Sequence, residues 1–252
     1  TDEFVKMMND KVKELGLKDT NFKNPHGLDD ANHYSSAYDM AMIARELVKH
    51  EKVLTFTSIY EDYLRKGTSK EFWLVNTNKL VRFYNGVDGL KTGYTTEAGY
   101  CLTATAKKND MRLISVVMGE ESNGLRTSET SSLLDYGFAQ YKSTELVKQG
   151  DVVTEVQIEK AKNQNVSIIT KDNASILSKK TEKMEDITYE TKLDKIKAPV
   201  KKGDKVGTLK VKEDGKLIKE ITLTVKQDVK EANILELYGR YLKNMIIGNI
   251  KF

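Results

Sequence analysis

Gly86-Val87-Asp88-Gly89-Leu90-Lys91-Thr92-Gly93-Tyr94-Thr95 is the stretch on which the reading of this sequence turns. It has the character of one strand, and two further strand-like stretches follow, Tyr100 to Lys107 and Met111 to Met118. Lys108-Asn109-Asp110 separates the latter two as a short turn signal, which predicts an antiparallel hairpin. At a strand edge, a lysine ammonium (Lys91) and a threonine hydroxyl (Thr92) can hold a substrate carboxylate and raise the local positive potential. Gly93 lets a substrate backbone lie close and add itself to the sheet edge.

Upstream, Thr1 is placed to cap a helix with Asp2 and Glu3 in its first turn. Phe4, Met7, Met8, Val12 and Leu15 repeat at helical spacing, and Gly16 is placed to end it. A polar loop runs from Asn24-Pro25-His26-Gly27 to His33-Tyr34. Ser36 with Asp39 predicts a second helix cap, with Met40, Ile43, Ala44 and Leu47 on one face. From Ser58 the period shifts toward two, through Ile59, Tyr60, Tyr63 and Leu64 to Phe72-Trp73-Leu74-Val75, where Trp73 reads as core. Downstream, a helix from about Arg126 to Tyr141 is expected to bury Leu133, Leu134, Tyr136 and Phe138.

Composition changes after Gly150. Short runs rich in Val, Ile and Thr (Val152 to Ile158, Val166 to Thr170, Ile187 to Leu193, Val206 to Val211) predict a separate β-sandwich. Glu213-Asp214-Gly215-Lys216 is a strong hairpin signal ahead of Leu217 to Val225. The end returns to helical spacing: Ile234, Leu235, Tyr238, Tyr241, Leu242, Met245 and Ile246 fall on one side, Glu236, Arg240, Lys243 and Asn244 on the other, and Ile247 and Ile250 break the pattern. The expected parts are therefore 1–147, 148–229 and 230–252. The last has two readings, a helix packed on the β-domain or an in-plane membrane anchor, and its charge and amphipathicity favour the anchor.

The 252 residues are 39% apolar with a net charge of +4. Lysines and acids are interspersed, which argues against a nucleic-acid partner. No apolar run approaches the length of a membrane span. Thr1 opens directly onto a helix pattern, so any targeting segment is expected outside this chain. The single cysteine, Cys101, excludes an internal disulfide and reads as a small core residue. His26 and His33, with Asp29 and Asp30 between them, fit no standard zinc spacing, and no metal is expected. His26 is expected to hydrogen-bond within its loop beside the site.

Several segments together resemble the penicillin-binding D-alanyl-D-alanine carboxypeptidases: Asn24 to Leu28, His33 to Ala41, Asn76-Thr77-Asn78-Lys79-Leu80, Gly86 to Thr95, Ala98-Gly99-Tyr100 and Val116 to Gly119. The likeness runs along essentially the whole chain. It implies an α/β (α+β) domain of the penicillin-binding, serine β-lactamase-like fold, incomplete at its N-terminus, then an all-β sandwich and a C-terminal amphipathic helix. It also implies a serine peptidase that releases the terminal D-alanine of peptidoglycan pentapeptide stems through an acyl-enzyme. β-Lactam antibiotics would be its covalent inhibitors. No cofactor is implied, and the place of work would be the outer face of the bacterial cell membrane, attached peripherally through 230–252.

By the same resemblance, Lys91 and Thr92 bind the substrate carboxylate and assist proton transfer, Gly93 completes the substrate-binding strand, the Tyr94 N–H supplies half of an oxyanion hole, and Arg126 reaches toward the terminal carboxylate. Some relatives carry histidine after Lys-Thr-Gly, where this chain has Tyr94, so a pH profile set by that imidazole does not carry over. The family nucleophile stands in Ser-x-x-Lys and a second element in Ser-x-Asn. No serine here has Lys three residues on or Asn two residues on, so both are expected ahead of Thr1, and the chain alone is expected to be inactive. A catalytically dead peptidoglycan-binding module and a β-lactamase of the same fold are the alternatives.

Overall fold

Residues 1–182 and 186–246 are described by a computed structural model, in which the chain divides into one unit of Thr1–Tyr141 and a second from Lys142 onward. This division falls a few residues ahead of the expected 147/148 boundary.

In the first unit, α1 (Asp2–Glu14) ends as Gly16 turns to φ 72°, its N–H donating to Lys13 O at 2.9 Å. Thr1 precedes the helix, but its side chain makes no capping bond, which corrects that expectation. Asp2 and Glu3 at the positive end of the helix dipole remain as the favourable terms there. α2 (Ala37–Leu47) does carry its cap, Ser36 Oγ accepting from the Asp39 N–H at 3.1 Å. The Asp39 carboxylate has a different task from the capping expected of it. Buried at 2% exposure, it accepts from the Asp19 N–H (2.9 Å) and the Thr20 hydroxyl (2.8 Å), tying the incoming loop to the helix.

Two short helices, α3 (Lys52–Thr57) and α4 (Leu80–Phe83), flank an antiparallel ribbon of β1 (Glu61–Leu64) and β2 (Phe72–Val75). Trp73 on this ribbon is 55% exposed, so it is not core. A four-residue, two-stranded ribbon offers no second layer to bury it.

The three expected strands are β3 (Val87–Thr95), β4 (Gly99–Lys108) and β5 (Met111–Glu120), antiparallel in the order β3-β4-β5. Asn109 makes the β4–β5 turn at φ 53°. Leu102, Ala104 and Ala106 of β4 form the core with Leu80, Val87 and Leu134. Thr103 and Thr105, on alternate positions, are also buried, so both faces of β4 are covered. Cys101 on β4 is only partly buried, not a core residue as expected, and its thiol lies 3.3 Å from Ala98 O.

Across the sheet, the Arg112 guanidinium on β5 pairs with the Asp88 carboxylate on β3 through two bonds of 2.8 Å, and bonds Thr105 Oγ1 of β4 at 2.7 Å on the way. α5 (Asn123–Gln140) starts three residues before its expected position because Ser122 Oγ caps it from the Leu125 N–H at 3.1 Å. Its buried face is Arg126, Thr130, Leu134 and Gly137. Leu133 and Tyr136, expected inside, are 48% and 62% exposed. The helix is too weakly amphipathic for its large apolar residues to identify the inward face.

The second unit begins with β6 (Tyr141–Val147), β7 (Val152–Gln157), β8 (Asn165–Thr170) and β9 (Ala174–Lys179), followed by β10 (Ile187–Leu193), β11 (Gly207–Glu213) and β12 (Lys216–Val225). Five strands form one antiparallel sheet in the order β10-β11-β12-β8-β7, and β6 pairs with β9. Asp214 (φ 48°) and Gly215 (φ 75°) make the expected β11–β12 turn. Ile168, Val211, Leu223 and Val225, all fully buried, centre a core to which Leu146 and Val147 of β6 also contribute.

The last element, α6 (Ile234–Ile246), opens with reciprocal caps: the Glu236 N–H donates to Asn233 Oδ1 (2.8 Å) and the Asn233 N–H to Glu236 Oε2 (3.0 Å). Its polar face is the docked one. The Arg240 guanidinium donates to the carbonyls of Glu159, Ala161 and Lys162 at 3.0–3.1 Å, and Lys162 Nζ meets Glu236 at 3.0 Å. The apolar face is left outward: Ile234 is 84% and Tyr241 68% exposed. Ile247 and Ile250 lie outside the described residues.

Candidate active-site groove

β3 is an edge strand, and its outer edge changes character along its length. At its start, Thr57 Oγ1 donates to Asp88 O at 2.6 Å and Asn78 Nδ2 donates to Gly89 O at 3.2 Å. Side chains therefore satisfy that part of the edge. A Cβ on Gly89 would stand 2.5 Å from Thr57 Oγ1, so glycine is what admits this contact. Among the described residues, the strand from Lys91 to Tyr94 pairs with β4 alone, in the register Lys91↔Thr103, Thr92↔Leu102, Gly93↔Cys101 and Tyr94↔Tyr100. Its other side is free to take an extended peptide.

A groove of about 790 Å³ lies along this free edge. Lys91, Thr92, Gly93, Tyr94, Arg126 and His26, all singled out from the sequence, line it together. Lys91 is exposed, with its ammonium 2.5 Å from Thr92 O. The Thr92 hydroxyl is oriented by Thr77, Oγ1 to Oγ1 at 2.6 Å. Tyr94 and Tyr100 lie ring to ring, 4.4 Å between centroids, and the Arg126 guanidinium sits 5.7 Å from the Tyr100 ring. His26 is presented by a loop that Asn24 holds in shape, accepting from the Gly27 N–H (2.8 Å) and donating to Leu28 O (3.0 Å). The Thr95 hydroxyl donates to Asp29 at 2.7 Å and fastens the same loop to the end of β3.

Arg126 is the electrostatic centre. It is 5% exposed, donates to Cys101 O (3.3 Å) and Asn123 Oδ1 (2.5 Å), and its buried Nε has no partner among the described residues. No carboxylate among the described residues pairs with it. Burial pushes its pKa down, opposed by Cys101 and Tyr100. Lys79, Lys91 and Arg126 line the groove with no Asp or Glu among the lining residues, so the groove is positively charged and suited to an anion.

Thr77, Asn78, Tyr100 and Asn123 were given no role from the sequence. The first two stand in Asn76-Thr77-Asn78, which carried the family resemblance, but only the folded loop brings them to Thr92 and Gly89. Asp88 lies outside the groove, in the pair with Arg112. His26 and His33 each accept a backbone N–H at Nδ1, from Leu28 (3.3 Å) and Lys23 (3.1 Å).

The family model of D-alanyl-D-alanine carboxypeptidases matches residues 1–122, and that of the penicillin-binding protein 5 C-terminal domain matches residues 141–231. The carboxypeptidase DacF of Bacillus subtilis is 50% identical over 240 residues, covering 95% of this chain and 62% of its own length. DacA of Escherichia coli is 35% identical over 97% of this chain and 60% of its own length. Penicillin-binding protein 5 of Haemophilus influenzae superposes with a TM-score of 0.64 at 36% identity, over 90% of this chain and 66% of that one. The chain thus spans about three-fifths of the length of the curated relatives it matches. With both of its units matched by the two models and the likeness continuous across them, the chain belongs to the D-alanyl-D-alanine carboxypeptidase family of penicillin-binding proteins.

Proposed function

We propose that the groove is the carboxylate-binding side of a serine-type D-Ala-D-Ala carboxypeptidase site acting on peptidoglycan stem peptides. The observation that carries this reading is Arg126, a buried guanidinium without a carboxylate partner, opening with Lys91 on a groove that no acid lines. A peptide C-terminus is the anion such a site lacks. The D-Ala-D-Ala end lies along β3 from Lys91 to Tyr94, with Gly93 leaving room for its backbone. The Tyr94 N–H donates to the carbonyl oxygen as it becomes negative. A serine hydroxyl gives up its proton as its oxygen bonds to that carbonyl carbon, the C–N bond to the last D-alanine breaks, and the proton passes to the departing nitrogen. Water then cleaves the ester and restores the serine. β-Lactams place a carboxylate and a strained amide at the same points and leave a long-lived ester.

No serine among these 252 residues stands in Ser-x-x-Lys or Ser-x-Asn, so the chain alone is not expected to acylate. Intact mass after incubation with benzylpenicillin tests this. No adduct is expected on the chain by itself. Joined to a segment supplying Ser-x-x-Lys, it should gain one adduct, on that serine. An adduct mapped within residues 1–252 overturns the assignment.

α6 is read as an in-plane membrane anchor, supported by its outward apolar face and inward polar face. Ending the chain after Lys230 should abolish sedimentation with lipid vesicles, and unchanged sedimentation defeats this reading.

A further inference from the structure

The second unit holds a cavity of about 810 Å³ that the reaction does not use. Lys162, Lys202, Lys226 and Lys230 line it against one acid, Asp228. Asp228 is already engaged, accepting from the Lys202 backbone N–H at 2.8 Å, and Lys162 is paired with Glu236. The ammoniums of Lys202, Lys226 and Lys230 have no ion pair among the described residues, and all three are exposed. Three lysines without an ion pair on the lining of one cavity give it a positive potential that an anion would offset.

The cavity is built into the root of α6. The Lys162 N–H donates to Lys230 O and the Ala232 N–H to Lys160 O, both at 2.8 Å, while Val229 exchanges bonds with Val200. Arg240 then locks the helix to the carbonyls of the same 159–162 segment. The wall that carries the lysines therefore also fixes where the apolar face of α6 goes.

We propose that this cavity receives the phosphate group of an anionic bilayer lipid, so that the β-domain reads surface charge while α6 supplies apolar insertion. The inference rests on the membrane reading of α6. The shared chemistry is a phosphate monoanion, and charge complementarity next to an outward apolar face selects the lipid over a free phosphate. Each lysine at an anionic surface strengthens binding about fivefold, so the three together are worth on the order of 100-fold.

The test uses the whole 252-residue chain with vesicles of phosphatidylcholine alone or mixed with phosphatidylglycerol. Lys202→Gln, Lys226→Gln and Lys230→Gln are combined in one variant. A matched control loses the same charge elsewhere, at Lys18, Lys66 and Lys70. Unchanged circular dichroism establishes folding, since every residue replaced is exposed. The cavity variant should keep its affinity for neutral vesicles and lose the phosphatidylglycerol increment, with the control unaffected. Equal loss in the control, or an increment that survives in the cavity variant, overturns the cavity while leaving α6 as anchor. No binding of either vesicle by the unmodified chain overturns the anchor reading instead. Soluble glycerol phosphate that shifts the amide resonances of 226–230 and abolishes the increment at millimolar concentration supports phosphate recognition. Saturation by it at the vesicle-bound affinity overturns the choice of a lipid source.

Discussion

Arg126 is held under two opposing demands. A buried cation without a carboxylate partner among the described residues costs stability, while the same charge is what a peptide carboxylate needs. Arg126→Met should therefore shift unfolding by less than about 1 kcal/mol, because loss of the bonds to Cys101 and Asn123 is offset by removing the unpaired charge. Binding of a D-Ala-D-Ala-terminated peptide, followed by calorimetry, should weaken by about 2–5 kcal/mol. A large stability loss with unchanged binding would mean a purely structural arginine. Thr77→Val tests the orienting contact: it removes the one side-chain partner that the Thr92 hydroxyl has among the described residues, at about 1 kcal/mol, and should weaken the same peptide without touching it. Lys91 and Thr92 were singled out because a lysine and a hydroxyl at a strand edge suggest carboxylate binding by themselves, and Arg126 through the resemblance alone. Thr77 and Asn78 were not, since a neutral side chain acquires its role only from what the fold sets beside it. Asp39 was misread for the same reason: its position suggested a cap, and the partner it found lies about twenty residues upstream.

Element by element, legibility followed length and period. β3, β4 and β5 are long enough for alternation to register, and the β11–β12 turn declares itself in Asp214-Gly215. α3 and α4, six and four residues long, hold too few turns to display a helical repeat. The β3–β4 turn depends on Gly99, whose φ of 63° favours glycine and whose absent Cβ would stand 2.9 Å from Glu120 O. Gly99→Ala should cost about 2 kcal/mol or more in urea unfolding of the first unit, through the backbone conformation and the clash together. At α6 the Glu236 carboxyl is held below its ordinary value, first by the Asn233 N–H and then by Lys162. A depressed folded pKa stabilises above the unfolded value of 4.5 and is lost as pH falls through the folded value. Helix docking should therefore loosen below about pH 4.5, read as faster proteolysis at Arg240 or Lys243. Glu236→Gln should remove the pH dependence. A dependence that persists in that variant would place it elsewhere.

At the scale of the molecule, the sequence gives two separate cores, and they are unequal. The cluster of the second unit unites twelve buried residues, that of the first only six, among the described residues. The first unit also leaves Phe4, Met7, Phe56, Phe72, Trp73 and Phe83 more than half exposed, apolar area that yields no burial free energy where it stands. In the second unit the largest exposures fall on α6, with Val152, Leu177, Tyr189 and Leu217 of the strands just over half exposed. Stability scales with buried apolar area less the entropy of the residues ordered, so the unit with more ordered chain and less core is the weaker. Heating the whole chain should accordingly give two transitions, the first belonging to residues 1–141. Calorimetry resolves the transitions, and Trp73 fluorescence assigns the earlier one, because the single tryptophan lies in the first unit. Gly99→Ala should lower only that transition, and a substitution in the other core, Leu223→Ala, only the later one, by about 2–5 kcal/mol. One transition moved equally by both variants would mean that the two cores fold as a single cooperative body.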